Sequence, residues 1–261
     1  MSYGHHIGLV ALTLLAAGQA HAQTTPQATP VPTAGRVSYV SGTMFVQTSD
    51  NKTRILGRDS AIYNGDVITT EKTTVARIEF GDGSTLALKP RSKVKIDGFA
   101  FDEAKPEKDS LLYSLLKGGL RAVTGLIGKR NREGYRANTV TATIGIRGTR
   151  FGMLLCDETD KDDPVCLKAL QDAKDRKPGE PALVFDVEEG SIEVRNDAGA
   201  KTFEVGQAGV VSSSKSAPAS LSENPGLDKA LPSSTASRPG PAGMGGNTGL
   251  GSDSDASCTV Q

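Results

Sequence analysis

From residue 35 onward, apolar and polar residues alternate in short runs separated by glycine-rich turns. A period of two marks a strand with one buried face, because successive side chains point to opposite sides. The pattern holds at residues 36–40, 43–47, 66–69, 75–80, 84–88 and 93–96. It resumes at 120–124, 182–187, 191–195 and 202–205, and 207–211 closes the series. Gly81-Asp82-Gly83 joins two of these runs as a three-residue glycine hairpin turn, and Asn64-Gly65 marks another turn. Short strands at this spacing predict an all-β domain, either an antiparallel β-sandwich or a β-solenoid-like coil, with one or two short helices. A glycine followed by alternating apolar residues recurs at Gly42, Gly83, Gly119 and Gly190, too loosely to define a repeat.

Two segments break the period. Asp109 or Ser110 is placed to cap a short helix with Leu111, Leu112, Leu115 and Leu116 on one face, ended by Gly118-Gly119. Asp163-Pro164 reads as an N-cap with proline at the first helical position, followed by Val165, Leu170 and Ala173 on one face. The run TATIGIRGTRF at 141–151 carries a different irregularity. Ile144 and Ile146 alternate on one parity, whereas Phe151, Met153 and Leu155 alternate on the other. A straight strand cannot send both sets to one core, so a bend is expected between them, with a β-bulge at Gly148. Arg147 and Arg150 then flank the bend, and Gly145 and Thr149 complete the motif.

Composition adds the termini. Residues 7–17 are an apolar run too short to span a bilayer, followed by Ala20-His21-Ala22, a small-x-small cleavage pattern. The expectation is a signal peptide over 1–22, cut after Ala22, a flexible leader over 23–34 and a periplasmic or secreted chain with no transmembrane span once mature. The β domain is assigned to 35–211, with 155–181 as an inserted acidic loop holding the short helix. Residues 212–261 have no aromatic residue and are dominated by Ser, Gly, Pro and Ala, so they are expected to be a disordered tail with flexible character.

Charge and chemistry narrow the function. Net charge is zero, but residues 117–150 hold eight basic residues against one acid, and 157–163 hold five acids against one lysine. The basic segment supplies the candidate binding residues: Arg147, Gly148 and Arg150 at the bend, and Lys129, Arg130 and Arg132 in an expected loop. Gly128-Lys129 lacks the spacing of a phosphate loop. All three histidines (His5, His6 and His21) fall within the expected signal peptide, which leaves no histidine-activated nucleophile and no imidazole metal ligand. No catalytic residue, metal site or cofactor is assigned. Cys156 and Cys166 enclose nine residues and, in an oxidising compartment, are expected to form a disulfide, while Cys258 lies in the tail.

The residues also resemble a known family. GDVITT (65–70), VARIEFGDGSTLAL (75–88), GGLRAVTG (118–125), ATIGIRGTRF (142–151) and VEEGSIEV (187–194) follow one another as in FecR domains. The resemblance covers about 36–211 and implies a periplasmic, β-rich, non-enzymatic domain that acts through protein partners. The best-known members relay a signal from an outer-membrane transporter to a sigma factor and carry a cytoplasmic segment and a membrane span before the domain. A signal peptide stands in that place here, so a stand-alone exported module is expected, without the sigma-factor role. Its partner is expected to be a protein of the cell envelope. The alternative is a polysaccharide or other anionic ligand held by the basic 117–150 segment; nucleic acid is not expected.

Overall fold

The computed structural model describes Met1 and residues 32–230, apart from 161, 174 and 225. The expected signal peptide, most of the leader and residues 231–261 of the tail therefore lie outside the described residues. In chain order the strands are β1 (Gly35–Ser41), β2 (Met44–Gln47), β3 (Thr53–Leu56), β4 (Ala61–Ile62), β5 (Val67–Thr70) and β6 (Val75–Phe80). Then come β7 (Thr85–Leu88), β8 (Lys93–Ala100) and the long β9 (Ser110–Val123), followed by helix α1 (Leu126–Arg130). Next are β10 (Tyr135–Asn138), β11 (Thr143–Ile146), β12 (Arg150–Cys156) and helix α2 (Pro164–Asp172). The chain finishes with β13 (Ala182–Glu189), β14 (Ser191–Asn196), β15 (Gly199–Glu204), β16 (Ala208–Val211), β17 (Ala219–Ser220) and α3 (Leu227–Ala230).

These strands build two sheets. Sheet A runs β4-β1-β6-β7-β9-β12-β13-β16-β17, and sheet B runs β3-β2-β5-β8-β9-β10-β11-β14-β15. β9 belongs to both. Its first half pairs with β8 and β10, and from Gly118 onward it pairs with β7 and β12. Apolar side chains from both sheets meet in one core that includes Met44, Ile68, Tyr113, Ile144, Phe151, Phe185 and Phe203. The architecture is thus a β-sandwich, as expected, with one exception to the antiparallel rule: β9 and β10 are parallel.

The irregular alternation in the sequence records where the chain crosses from one sheet to the other. In β9, Leu111, Tyr113 and Leu115 are buried on odd positions, and Leu120 and Ala122 on even ones. Gly118 between them takes a positive φ of 73°. A Cβ there would stand 2.8 Å from the Arg91 carbonyl oxygen, so the position combines a left-handed backbone with a close approach. The expected helix at 110–116 is therefore corrected. Leu112 and Leu116 do not share a buried face with Leu111 and Leu115; Leu116 is 47% exposed. The period is two, and long-range pairing on both edges of β9 prevails over local helical spacing.

The same device operates at 143–156. β11 lies in sheet B and β12 in sheet A, with Arg147, Gly148 and Thr149 as the crossing and Gly148 at φ 64°. The bend is where the parity switch put it. It is a change of sheet rather than a bulge in one ladder; the register shift falls a step later, between Arg150 and Phe151. The strands at 75–80 and 85–88 pair as the expected hairpin. Its buried Asp82 accepts hydrogen bonds from the Ser84 N–H and hydroxyl at 3.0 and 2.7 Å and from the Ile127 N–H at 3.2 Å. That carboxylate anchors α1, which returns the chain from sheet A to sheet B and so allows β10 to lie parallel to β9.

A second apolar cluster lies on the outer face of sheet A. Leu154, Cys156, Ala182, Val184 and Val210 from the sheet meet Val165, Cys166, Ala169 and Ala173 from the α2 region, and Leu227 from α3. Asp163 caps α2 by accepting from the N–H groups of Val165 and Cys166 at 3.0 and 3.4 Å. Cys156 and Cys166 form the expected disulfide, with Cα atoms 5.1 Å apart, and so tie α2 to the end of β12. Closing so short a loop contributes about 2–3 kcal/mol in the chain-entropy picture. Cys166→Ser is expected to lose that amount, and reductant should lower the thermal midpoint of the wild type but not of the variant.

The domain also extends beyond its expected limits. Ala34, assigned to the leader, is buried, and its N–H donates to the Ile62 carbonyl at 2.8 Å. Past Val211, β17 pairs with β16, Asn224 donates to Asp186 at 2.9 Å and Leu227 is fully buried. Residues 212–230 thus pack on the sandwich instead of belonging to a disordered tail. A few well-placed apolar and amide side chains achieve this in a segment whose composition is otherwise that of a linker.

Candidate binding face

The two outer faces of the sandwich differ. That of sheet A is covered over β12, β13 and β16 by α2, β17 and α3, beside a polar cluster in which Arg121, 5% exposed, lies with its Nε 2.5 Å from Glu188 Oε1. Asp186, in register with Gly152, which is itself in register with Arg121, accepts from the Gly152 N–H at 3.0 Å. Burial pushes the Glu188 carboxyl above the ordinary glutamate value of 4.5; Arg121 opposes the shift and the Asp186 charge adds to it. An acid whose folded pKa is raised binds more protons folded than unfolded. Its presence therefore lowers stability as pH rises from 4.5 through the folded value. Asp66 is raised for the same primary reason, burial, opposed by the Tyr63 N–H and by Arg54. Glu188→Gln is expected to flatten the fall of unfolding free energy above pH 4.5, measured by denaturant titration at a series of pH values, while the raised Asp66 still contributes a fall of its own.

The outer face of sheet B carries a groove of about 380 Å³ at β10, β11 and β14, lined by Arg132, Arg136, Arg147 and Arg195 and floored by Gly145. Glu133 and Glu193 are its acids. Arg195 pairs along its own strand with Glu193 (2.5 and 3.1 Å), and Arg136 stands 3.9 Å from Glu133. The side chains of Arg132 and Arg147 make no hydrogen bond or ion pair among the described residues, and both are exposed. At Arg147 the backbone does the structural work: its N–H donates to the Ser191 carbonyl at 3.0 Å, which leaves the guanidinium free of the fold.

The other sequence candidates separate into two groups. Arg130 is held by the fold: it donates to the Asp102 and Glu103 carbonyls at 3.3 and 2.9 Å, lies 3.6 Å from Asp109 and stacks over Phe101 at 5.4 Å. Lys129 and Arg130 lie on α1 and Arg132 in the following 3₁₀ turn, rather than in a loop. Lys129 is exposed and lies apart from the groove lining. Arg150 opens β12, 3.6 Å from Glu189. Thr149 is buried, and its N–H donates to the Thr124 hydroxyl at 2.9 Å. The structure thus joins Arg132, Gly145 and Arg147 and adds Arg136 and Arg195. Arg136 lies within the basic segment, but Arg195, far along the chain, carries no local signal; only the β11–β14 pairing brings it in. Among the described residues no three His, Cys, Asp or Glu side chains are grouped to hold a metal ion. No helix among them is long and apolar enough to cross a membrane.

Comparison with known proteins gives one family match: the model for FecR protein matches residues 66–169. No curated protein matches the chain. Among solved structures, two crystal structures of a candidate anti-sigma factor from Parabacteroides distasonis align at 13% identity and a TM-score of 0.42. The alignment covers 61% of this chain and 61% of that one, so the chain spans under two thirds of its length. A cell surface anchoring domain aligns at 23% identity and a TM-score of 0.24, covering 24% of this chain and 84% of that one.

Proposed function

We propose, from the match of the FecR protein model to residues 66–169, that the chain is a non-enzymatic module of the periplasm that senses or scaffolds by binding a protein partner of the cell envelope. The family's general character as signalling modules acting through partners supports the reading. The single observation that carries it is the contrast between the faces: the chain's own segments cover sheet A over β12, β13 and β16, whereas sheet B presents two arginines, Arg132 and Arg147, that the fold does not use. Arginines spared from structural duty on a rigid sheet are suited to recognition, because the planar guanidinium engages carboxylates in two parallel hydrogen bonds. The one raised carboxylate beside another, Glu188 near Asp186, is engaged with Arg121, which favours a structural role over acid–base catalysis.

Photo-crosslinking in the native envelope tests this reading. Probes replace Arg132 and Arg147, with a control probe at Arg58, which is exposed and stands 3.9 Å from Asp59 away from the groove. One discrete protein captured from both groove positions and not from the control is the expected result. Capture of glycan fragments alone would support the anionic-polymer alternative instead, and equal capture at all three positions would remove the groove from consideration.

A further inference from the structure

Gly145 is the residue of the groove that the fold leaves unexplained. It sits inside β11, paired with Arg136 on one side and Glu193 on the other, and its φ is not positive. A Cβ built on it would meet nothing closer than the Glu193 carbonyl oxygen at 4.0 Å, an ordinary contact. Glycine weakens a strand interior, by entropy and by lack of a side chain to pack, and is otherwise found where a ligand or another backbone comes close. Backbone strain and crowding, the reasons that hold at Gly118, are both missing at Gly145. What the missing side chain provides is the floor of the groove.

The arginines stand around that floor in steps. Outward positions fall at Thr143 and Gly145 on β11 and at Arg147 just past its end, where the N–H still pairs with Ser191, two residues or about 7 Å apart. Thr143 is in register with Arg195, and Gly145 with Arg136. Arg147 supplies the third level itself, and Arg132, from the turn preceding β10, lines the same groove. Each two-residue step along β11 therefore carries a guanidinium. The side chains on one face of an extended peptide repeat with the same step.

We infer that the groove holds an extended acidic peptide segment of the partner, lying along β11 over Gly145, with carboxylates on alternate residues meeting the successive arginines. The inference rests on reading sheet B as the binding face and adds the chemistry of what lies there. Glu133 and Glu193 set a condition on the ligand: they exclude a dense block of negative charge and favour carboxylates spaced to fall between them, beside Arg132, Arg147 and Arg195.

The test uses the purified chain and fluorescein-labelled octapeptides, with binding read by anisotropy. An alternating Glu-Thr peptide is expected to bind, several-fold more tightly than a peptide of four Glu followed by four Thr, and more weakly as salt rises. Gly145→Val is expected to lower the affinity at least tenfold while leaving the thermal midpoint unchanged or higher, because valine suits a strand and its Cβ meets only an ordinary contact there. Should that variant fold poorly, the surface variant Arg132→Ala/Arg147→Ala must show the same loss. Unchanged affinity in a folded Gly145→Val chain overturns the inference, as does equal binding of the two glutamate peptides or preferential binding of a polyuronate. A partner captured from positions 132 and 147 without peptide binding would sink this inference alone; peptide binding without capture would instead count against the envelope-partner reading.

Discussion

Replacing Gly190 by alanine is expected to destabilise the domain by about 2–5 kcal/mol, whereas the same change at Gly148 should cost only about 1–2. Both glycines are crossings between the sheets, and both have positive φ, 74° and 64°. The left-handed backbone disfavours any L side chain by about 1–2 kcal/mol at either site. They differ in space. A Cβ on Gly190 would stand 2.4 Å from the Gly148 carbonyl oxygen and 2.9 Å from the Thr149 methyl, and backbone cannot give way as a flexible side chain can. A Cβ on Gly148 meets nothing within 4 Å. The crowding at Gly190 adds about 1–3 kcal/mol, typical of overpacking in a well-packed site. The two crossings run side by side, β11 to β12 against β13 to β14, and of the two glycines only Gly190 is crowded. Chemical denaturation of the two variants measures the difference directly; equal losses would mean that the crossings do not touch.

Arg121→Ala is expected to cost about 2–4 kcal/mol at neutral pH, because it removes the counter-ion of the partly buried Glu188 carboxylate, with the buried-pair penalty discounted for exposure. Arg121 pairs with Glu188 and donates to the Leu227 carbonyl at 3.4 Å, so it also joins sheet A to residues 219–230. The loss should depend on pH in a defined direction. Without Arg121 the Glu188 carboxyl rises further above its ordinary value, and protonating it relieves the cost. The variant should therefore regain part of its stability as pH falls towards 5, a trend that loss of packing alone would not produce. Limited proteolysis gives an independent reading, since residues 219–230 should become cleavable before the sandwich does. A pH-independent loss would show that Arg121 acts through packing of its stem.

How much of this was legible in the sequence depends on how each parity switch was dressed. At 141–155 the switch from Ile144 and Ile146 to Phe151, Met153 and Leu155 was readable, because the outward positions between them are small, polar or charged. At 111–122 the same switch was hidden. Leucines at 112 and 116 occupy outward positions and create helical spacing with Leu111 and Leu115, and the burial of Tyr113 between them is what reveals the period of two. Short elements such as β3, β4 and β10 carry too few alternations to register, and they exist because longer strands offer them an edge. The disulfide and the cap of α2 were readable because each depends on residues close in sequence.

The groove was half legible for the same reason. The basic segment at 117–150 supplies part of the groove lining, but charge density cannot tell Arg130, which the fold consumes, from Arg147, which it leaves out. Sheet pairing decides that, and it alone brings Arg195 beside Thr143. Gly145 looked like one more glycine of a motif; its meaning comes from the open space around it.

The open face of sheet B is the central claim, and one paired measurement tests it most directly. Wild type and Gly145→Val, each with the photo-probe at Arg147, are crosslinked in the native envelope at matched levels, after their thermal midpoints have been shown to agree. Capture of a discrete protein by the wild type and its loss in the variant is the expected result, since only the groove floor differs. Undiminished capture by a folded Gly145→Val chain would contradict it and place recognition elsewhere on the molecule.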